Sequence, residues 1–157
     1  MSEATTPAAL QKVLRRFAAL PPEMVRQALV QYANRLPELP EHLRGLDSEQ
    51  YRVHECQTPV AIFPEVVGGR MHFHADVPRS APTIRALLAL LFEAVNGQPP
   101  AATLAIPDDF VRQAMSKIGL GTREVGLNAI VARLKRAARH AEAQAAAAPT
   151  PQRRAAG

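Results

Sequence analysis

The residue with the clearest chemical potential is Cys56, the single cysteine among 157 residues. It lies in the segment Val53-His-Glu-Cys-Gln-Thr-Pro59, where polar neighbours and the closing proline favour a loop. Cysteine is on average a buried residue, but this context predicts an accessible thiol at a loop tip. A lone cysteine forms no internal disulfide, and structural zinc and iron–sulfur sites usually take four ligands. Cys56 is therefore either core filling or a reactive thiol.

The neighbours of Cys56 indicate which thiol chemistry the segment favours. A nucleophilic thiol must ionise, and a free thiol with a pKa of about 8.5 is only a few per cent thiolate at neutral pH. His54 favours a thiolate by its position, whereas the carboxylate of Glu55 opposes it. A hydrolase needs a committed base and an oxyanion hole, and neither is recognisable in this sequence. Exchange with an activated sulfur is less demanding, so the segment indicates a carrier that passes its cargo to another protein.

The composition indicates one domain with an aliphatic core. Hydrophobic residues make up 47% of the chain and aromatic residues 4%, with no tryptophan. The polar first six residues argue against a secretory signal peptide, and no apolar run approaches the roughly 18–20 residues of a membrane span. We therefore predict a cytoplasmic protein, in a compartment that keeps thiols reduced. The domain is expected over residues 1–143, followed by a disordered Ala/Pro/Arg tail over residues 144–157.

The formal net charge of +5 raises the question of a nucleic-acid partner. Aromatic residues that would stack on bases are scarce, which argues against single-strand binding. Acidic residues intersperse most of the chain, and the positive charge concentrates on the last predicted helix, which we interpret as a solvated basic face. The basic residues of this helix are Arg133, Lys135, Arg136, Arg139 and His140.

The elements that must position Cys56 are mainly helices. Apolar residues at helical spacing predict three helices before residue 97. The third, ending near Val95, is apolar around most of its circumference and is therefore expected to be central, with Ser80 as its N-cap. Two further helices are predicted, one begun by Asp108 or Asp109 and one capped by Thr122.

A β-hairpin is predicted directly after the Cys56 segment, because residues 60–67 and 70–76 flank the turn Gly68-Gly69. Pairing Val67 with Arg70 gives an apolar face of Ile62, Val66, Met71, Phe73 and Ala75 and a polar face of Glu65, Arg70, His72 and His74. Pro64 marks its strand as an edge or a bulge. With a short strand at Tyr51–His54, the expected fold class is α+β, with a small antiparallel sheet of about three strands packed against several α-helices.

Four short segments carry a resemblance to a known family. They are Arg35-Leu-Pro-Glu-Leu39, Val53-x-x-Cys56-Gln57-Thr58-x-Val60, Ile84-Arg-Ala-Leu87 and Arg123-x-x-Gly126-Leu127. In order and spacing, from about residue 13 to residue 138, they resemble the sulfur acceptor proteins of the SufE family. Members of that family have Val-x-Gly-Cys-Gln-Ser-x-Val at the loop and Ser-Arg-x-x-Gly-Leu at a later helix start. The resemblance implies a SufE/NifU-like α+β fold.

The resemblance also implies a function. Cys56 would attack the persulfide presented by a pyridoxal-phosphate-dependent cysteine desulfurase, stimulate that enzyme and pass the sulfur to an iron–sulfur cluster scaffold. Arg123 would contact the partner, together with the loop residues His54, Glu55, Gln57 and Thr58. The chain itself is expected to hold no cofactor or metal, to bind no small-molecule ligand and to associate with neither nucleic acid nor membrane.

Two residues depart from the family pattern. Glu55 replaces the glycine that usually precedes the cysteine, which bears on loop flexibility and on the stability of a thiolate. Ser80 stands where the family often has an aspartate, so an acidic partner contact is missing there. Neither change removes the nucleophile.

A zinc site is one alternative to the carrier hypothesis. His72 and His74 lie on one strand in the predicted hairpin, with Glu65 opposite His72. His54 and Cys56 would have to approach them to complete a set of nitrogen, oxygen and sulfur ligands.

A basic protein–protein interaction module with an incidental cysteine is the other alternative. The last helix would then be the working surface, docking an acidic protein or a nucleic acid. Such a module would stay active after replacement of Cys56 by serine, whereas a sulfur carrier would lose its function.

Overall fold

The computed structural model describes residues 6–147 and has the predicted α+β class. Two short 3₁₀ helices, Ser48–Tyr51 and Ser116–Ile118, accompany seven α-helices and a two-stranded antiparallel sheet in this range. No helix within it is long and apolar enough to cross a membrane. In chain order, the main elements are α1 (Ala8–Ala19), α2 (Pro22–Asn34), α3 (Glu41–Arg44), β1 (Ala61–Val67), β2 (Arg70–Asp76), α4 (Pro82–Val95), α5 (Pro100–Leu104), α6 (Phe110–Met115) and α7 (Arg123–Ala147).

Helix α4 forms the centre of the core, as its apolar sequence predicts. Ten of its 14 residues are buried, and the side chains of Leu87, Leu88 and Leu91 are fully enclosed. Helix α2 packs along it, and α1, α5 and β2 also contact it. Because burial of each large aliphatic side chain contributes about 1.5–3 kcal/mol, these leucines hold α4 firmly in the core.

The hairpin has the predicted register. Val67 pairs with Arg70, and Glu65 lies opposite His72. Gly68 and Gly69 connect the strands with φ values of 59° and 76°, which a two-residue turn of the primed type requires and glycine adopts without strain. The Cys56 segment therefore leads directly into a well-defined two-stranded unit.

The predicted strand at Tyr51–His54 is wrong. Residues 48–51 form a 3₁₀ helix, in which the Glu49 amide donates to the Asp47 carboxylate at 3.0 Å. Among residues 51–54, only Arg52 makes a bridge to the sheet, opposite Ala61. An Asp two residues before an amide offers the backbone a local partner that competes with a sheet ladder, so the described sheet has two strands instead of about three.

The outer edge of β2 is closed by residues 96–98 and not by a third strand. The Phe73 amide donates to Asn96 Oδ1 at 2.7 Å, and Asn96 Nδ2 donates to the Phe73 carbonyl at 2.9 Å. Farther along, the Met71 amide donates to the Gln98 carbonyl and the Gly97 amide donates to the Met71 carbonyl, both at 2.8 Å. These bonds satisfy backbone groups that an open sheet edge would leave unpaired.

The same bonds explain why Pro64 is tolerated within β1. Pro64 pairs with Phe73, whose backbone groups point to Asn96 and away from β1. Residues opposite each other in such a pair both turn their backbone groups outward. The N–H that proline lacks would therefore not have joined the ladder to β2, in agreement with the predicted edge position.

Replacing Asn96 by alanine is expected to lower the free energy of unfolding by about 1–3 kcal/mol, because the amide and carbonyl of Phe73 would lose their partners in a partly buried position. Gln98→Ala is the matched control. Gln98 contacts Met71 through its own backbone carbonyl, so its side chain should matter by no more than about 0.5 kcal/mol. Urea unfolding measures both, and equal stabilities would contradict the edge-closing role of the Asn96 side chain.

The second face of the hairpin is less polar than predicted. Phe63 and Ala61 are buried there, together with Leu43 of α3, and the Tyr51 ring lies 4.5 Å from the Phe63 ring, centroid to centroid. On the opposite face, Val66 is 52% exposed although it was predicted to join the apolar set. Both differences arise because α3 and the 3₁₀ helix cover the far face near the open end of the hairpin, while the turn extends beyond the core.

Some predicted helix boundaries also differ. Helix α4 begins at Pro82 with Ala81 as its N-cap, so Ser80 does not cap it. Asp109 precedes α6, whereas the carboxylate of Asp108 accepts a hydrogen bond from Lys135 at 2.7 Å, which is the leading cause that lowers the pKa of Asp108. Helix α7 continues to Ala147, so residues 144–147 of the predicted tail are helical. The rest of that tail lies outside the described residues.

Candidate functional site

Cys56 lies in a short loop whose two ends are joined. The Val53 amide donates to the Val60 carbonyl at 2.8 Å, and both of these residues are buried. Within the loop, the Cys56 amide donates to the Val53 carbonyl at 3.2 Å, which turns the cysteine toward the protein. The neighbouring side chains of His54, Glu55 and Gln57 are exposed. The loop is thus a compact surface segment with one side chain directed inward.

The prediction that Cys56 is accessible is wrong, because only 7% of its surface is exposed. The loop packs against the first turns of α7, where Gly126 faces the cysteine. A Cβ atom at Gly126 would lie 3.3 Å from the Cys56 Cα atom and 3.5 Å from its Sγ atom. The missing side chain of Gly126 is therefore what lets the loop approach α7 closely enough to shelter the thiol.

A pocket of about 290 Å³ opens beside Cys56 at the junction of the loop, α4 and α7. Three of the four segments that carry the family resemblance line it, although they are far apart in sequence. Three ionisable side chains line it: Cys56, Glu55 and Arg123. The complete lining consists of Glu55, Cys56, Gln57, Thr58, Ile84, Thr122, Arg123, Val125, Gly126 and Leu127.

Arg123 lies at the start of α7 on the rim of this pocket. Its Nη1 atom donates to the Thr83 hydroxyl in the first turn of α4 at 3.4 Å. Arg123 is exposed, and so is Val125, which lies on the same rim. Arg123 therefore offers a charged group close to the thiol while it bridges the two helices that form the pocket wall.

The two residues that precede Cys56 have different surroundings. His54 does not line the described pocket; its side chain is 60% exposed and lies 3.6 Å from Glu49. Glu55 lines the pocket and also acts on Arg133 of α7. Burial lowers the pKa of Arg133 and the like charge of Arg136 adds to this, whereas the charge of Glu55 opposes it. Glu55 therefore interacts electrostatically with Arg133 of α7 in addition to lining the pocket. The local sequence around Cys56 does not predict this interaction.

Glu65 and His74 of the hairpin form a separate cluster with His42 of α3, and His72 makes no ion pair with Glu65. Both imidazoles of His42 and His74 contact the carboxylate of Glu65, at 3.0 Å and 2.8 Å. The hydrogen bond from His42 is the main cause that lowers the pKa of Glu65. None of these residues lines the Cys56 pocket, and residues 6–147 contain no group of three or more His, Cys, Asp or Glu side chains arranged to hold a metal ion.

The arrangement suits exchange of sulfur better than hydrolysis. The thiol has no histidine within its pocket to act as a committed base, and a hydrolytic cysteine requires one. The sequence predicted Cys56, Glu55, Gln57, Thr58 and Arg123 as site residues. It did not predict that Ile84 and Val125 line the pocket or that Thr83 accepts a hydrogen bond from Arg123. Gly126 lies within a helical pattern, and such a glycine was the available sequence signal that another segment packs closely against this helix.

Comparisons with known proteins agree on one family. The model of the SufE family, described as an Fe-S metabolism associated domain, matches residues 11–138. Two proteins of Mycobacterium tuberculosis, from strains CDC 1551 / Oshkosh and H37Rv, are each 33% identical over 141 residues. Both are named as uncharacterized SufE-like proteins, and each alignment covers 88% of this chain and 97% of the relative.

A solved structure shows the same fold. The solution structure of a hypothetical protein from Thermus thermophilus matches with a TM-score of 0.71 and 35% sequence identity, over 88% of this chain and 99% of that one. The family match includes the cysteine loop, the first turn of α4 and the Arg-x-x-Gly-Leu start of α7, which together enclose the pocket. The chain therefore belongs to the SufE family, whose domain is associated with iron–sulfur metabolism.

Proposed function

We propose that this protein accepts sulfur from a pyridoxal-phosphate-dependent cysteine desulfurase onto Cys56, stimulates that enzyme and passes the sulfur on for iron–sulfur cluster assembly. The observation that carries the proposal is the position of the chain's single thiol, in the pocket where three of the family segments meet. The recipient would be a SufBCD-like scaffold complex, and the reaction would take place in the cytoplasm, where a thiol remains reduced.

The transfer step is a thiol–persulfide exchange. The Cys56 thiolate attacks the outer sulfur of the cysteine persulfide on the desulfurase, and a new S–S bond forms. The S–S bond of the donor breaks, and the desulfurase cysteine leaves as a thiolate. One sulfur atom moves without any net oxidation or reduction, so the step needs no oxidant, reductant or cofactor in this chain.

The sheltered position of Cys56 supports a carrier role. An exposed persulfide is readily reduced or oxidised further, and the pocket beside Cys56 offers about 290 Å³ in which an added sulfur can be held. The exposed residues around it, Arg123, Val125 and Gln57, give a partner a surface to contact. A partner that binds this rim reaches the thiol, whereas small reagents in solution meet a largely covered sulfur.

Intact-mass measurement tests the proposal. The protein is incubated with a SufS-type cysteine desulfurase and L-cysteine, and its mass is recorded without reductant. We expect a gain of one sulfur atom, located at Cys56 by peptide mapping and removed by dithiothreitol. Formation of alanine reports separately that the desulfurase is active. If alanine forms and the wild-type protein gains no sulfur, the proposed function is wrong.

A further inference from the structure

A second groove runs between α7 and the sheet, beside the cysteine loop. It has a volume of about 350 Å³, and most of its surface is apolar. Tyr51, Ile62, Pro64 and Ala137 contribute this apolar surface, and basic side chains of α7 border it. These basic residues are Arg133, Arg136 and His140, spaced so that they share one side of the helix.

The positive charge along this groove is only partly balanced by carboxylates of the described chain, since Glu55 acts on Arg133 from the cysteine loop. Arg136 forms no ion pair with any side chain of residues 6–147, and neither do Arg133 and His140. The other basic side of α7 differs, because Lys135 is buried there and pairs with Asp108 at 2.7 Å, and Arg139 also acts on Asp108. The basic face that the sequence predicted as solvated is therefore divided: Asp108 pairs with Lys135 on one side, and on the other side Arg136 forms no ion pair within residues 6–147.

The basic side of the groove is physically joined to the cysteine loop. Arg133 Nη2 donates to the Arg52 carbonyl at 2.7 Å, immediately before Val53, where the two ends of the loop meet. A molecule seated in the groove would therefore lie next to the loop that holds Cys56.

We infer that this groove docks an acidic surface segment of the cysteine desulfurase that also inserts an apolar side chain between α7 and β1. This inference rests on the proposed function and adds where the partner binds outside the Cys56 pocket. Carboxylates of the partner would pair with Arg136 and relieve the repulsion between neighbouring guanidinium groups. Electrostatic complementarity of this kind speeds the association of two proteins and sets their relative orientation. It would therefore bring the desulfurase to the cysteine loop in a productive orientation.

The groove suits a protein better than a nucleic acid. Its floor is apolar, and its cations lie along one side only, whereas a nucleic-acid groove follows a continuous phosphate backbone and offers aromatic faces to the bases. The aromatic ring of the groove, that of Tyr51, already packs against Phe63.

Arg136→Glu and Arg139→Glu form a matched pair that tests the inference. Both residues are exposed on α7 and carry the same charge, but only Arg136 borders the groove. With the SufS-type desulfurase of the same organism as the probe, we expect Arg136→Glu to weaken binding about tenfold at low salt and Arg139→Glu to change it by less than about twofold. Biolayer interferometry at several salt concentrations gives the affinities, and circular dichroism checks that both variants fold.

A second readout separates this inference from the proposed function. Glutathione persulfide is a small sulfur donor that needs no docking surface. It should load the largely covered Cys56 thiol more slowly than the desulfurase does, but at the same rate in the wild type and in Arg136→Glu. Equal desulfurase affinities for the wild type and Arg136→Glu, or equal losses in both variants, would overturn the inference while sulfur acceptance stands. Loss of duplex DNA binding in Arg136→Glu without any loss of desulfurase binding would assign the groove to nucleic acid. Failure of the wild type to gain sulfur from the active desulfurase would remove both proposals.

Discussion

Replacing Cys56 by serine is expected to abolish sulfur acceptance and to return the desulfurase to its unstimulated rate. Serine keeps the size of the side chain, but its hydroxyl does not ionise near neutral pH and does not exchange with a persulfide. Because residues 1–157 contain no other cysteine, no second thiol can substitute. Radioactive sulfur from labelled L-cysteine, followed into the protein on a non-reducing gel, measures the loss directly.

Cys56→Ala is the control for this experiment. Only 7% of the residue is exposed, and a serine hydroxyl without a partner at such a covered position would cost about 1–3 kcal/mol. Alanine removes the nucleophile without adding a polar group, so both variants should lose acceptance while the alanine variant avoids the cost of an unpaired hydroxyl. Retention of labelled sulfur by either variant would contradict the role of Cys56 and would favour an interaction module in which the cysteine is incidental.

Gly126→Val is expected to displace the cysteine loop and to increase the rate of Cys56 alkylation by iodoacetamide at least about tenfold, since the thiol is reactive only when it is accessible. Even a single Cβ atom at Gly126 would lie 3.3 Å from the Cα atom of Cys56. A backbone atom cannot avoid this contact by rotating a side chain, so the backbone at Cys56 must shift, and the two methyl groups of valine add to the crowding. The bond between Val53 and Val60 at the base of the loop leaves the rest of the fold in place.

Ala132→Val is the matched control for Gly126→Val. It adds a branched side chain to the same helix at an exposed position, so it reports the effect of a β-branched residue on α7 alone. Helix propensity predicts a change of no more than about 1 kcal/mol in stability for either variant. Mass spectrometry of alkylation under native conditions gives the rates. If Gly126→Val and the wild type react equally fast, the close approach of the loop to α7 is not what shelters the thiol.

The residues that local pattern predicted well are those whose environment depends on near neighbours. The hairpin register follows from Gly68-Gly69 and from the alternation beside it, because a two-residue turn aligns the strands that it connects. The central position of α4 follows from a run of aliphatic residues that leaves only a small polar stripe. Cys56 was identified as the reactive group because the sequence contains a single thiol among polar residues, and this identification remains a prediction.

The features that local pattern missed depend on contacts between distant segments. A third strand was expected at residues 51–54, where a 3₁₀ helix forms instead. At the other side of the sheet, the side-chain amide of Asn96 closes the edge of β2, a contact that no local periodicity predicts. The basic helix was interpreted as one solvated face, yet Asp108 neutralises one side of it through Lys135. Periodicity gives the spacing of side chains along one helix or strand. It contains no information about which other element packs against them.

The thiol illustrates this division most directly. Amino-acid type and spacing were enough to place Cys56 in a loop and to recognise the family segments, and the family resemblance implied Arg123 as a partner contact near that loop. The burial of the sulfur depends on Gly126, which lies in a helix far along the chain. Because Gly126 has no side chain, the backbone of α7 approaches the cysteine loop closely enough to cover the thiol. Burial is a property of packed surfaces, and a loop that is polar in sequence can still enclose its one apolar side chain when a glycine opposite leaves room.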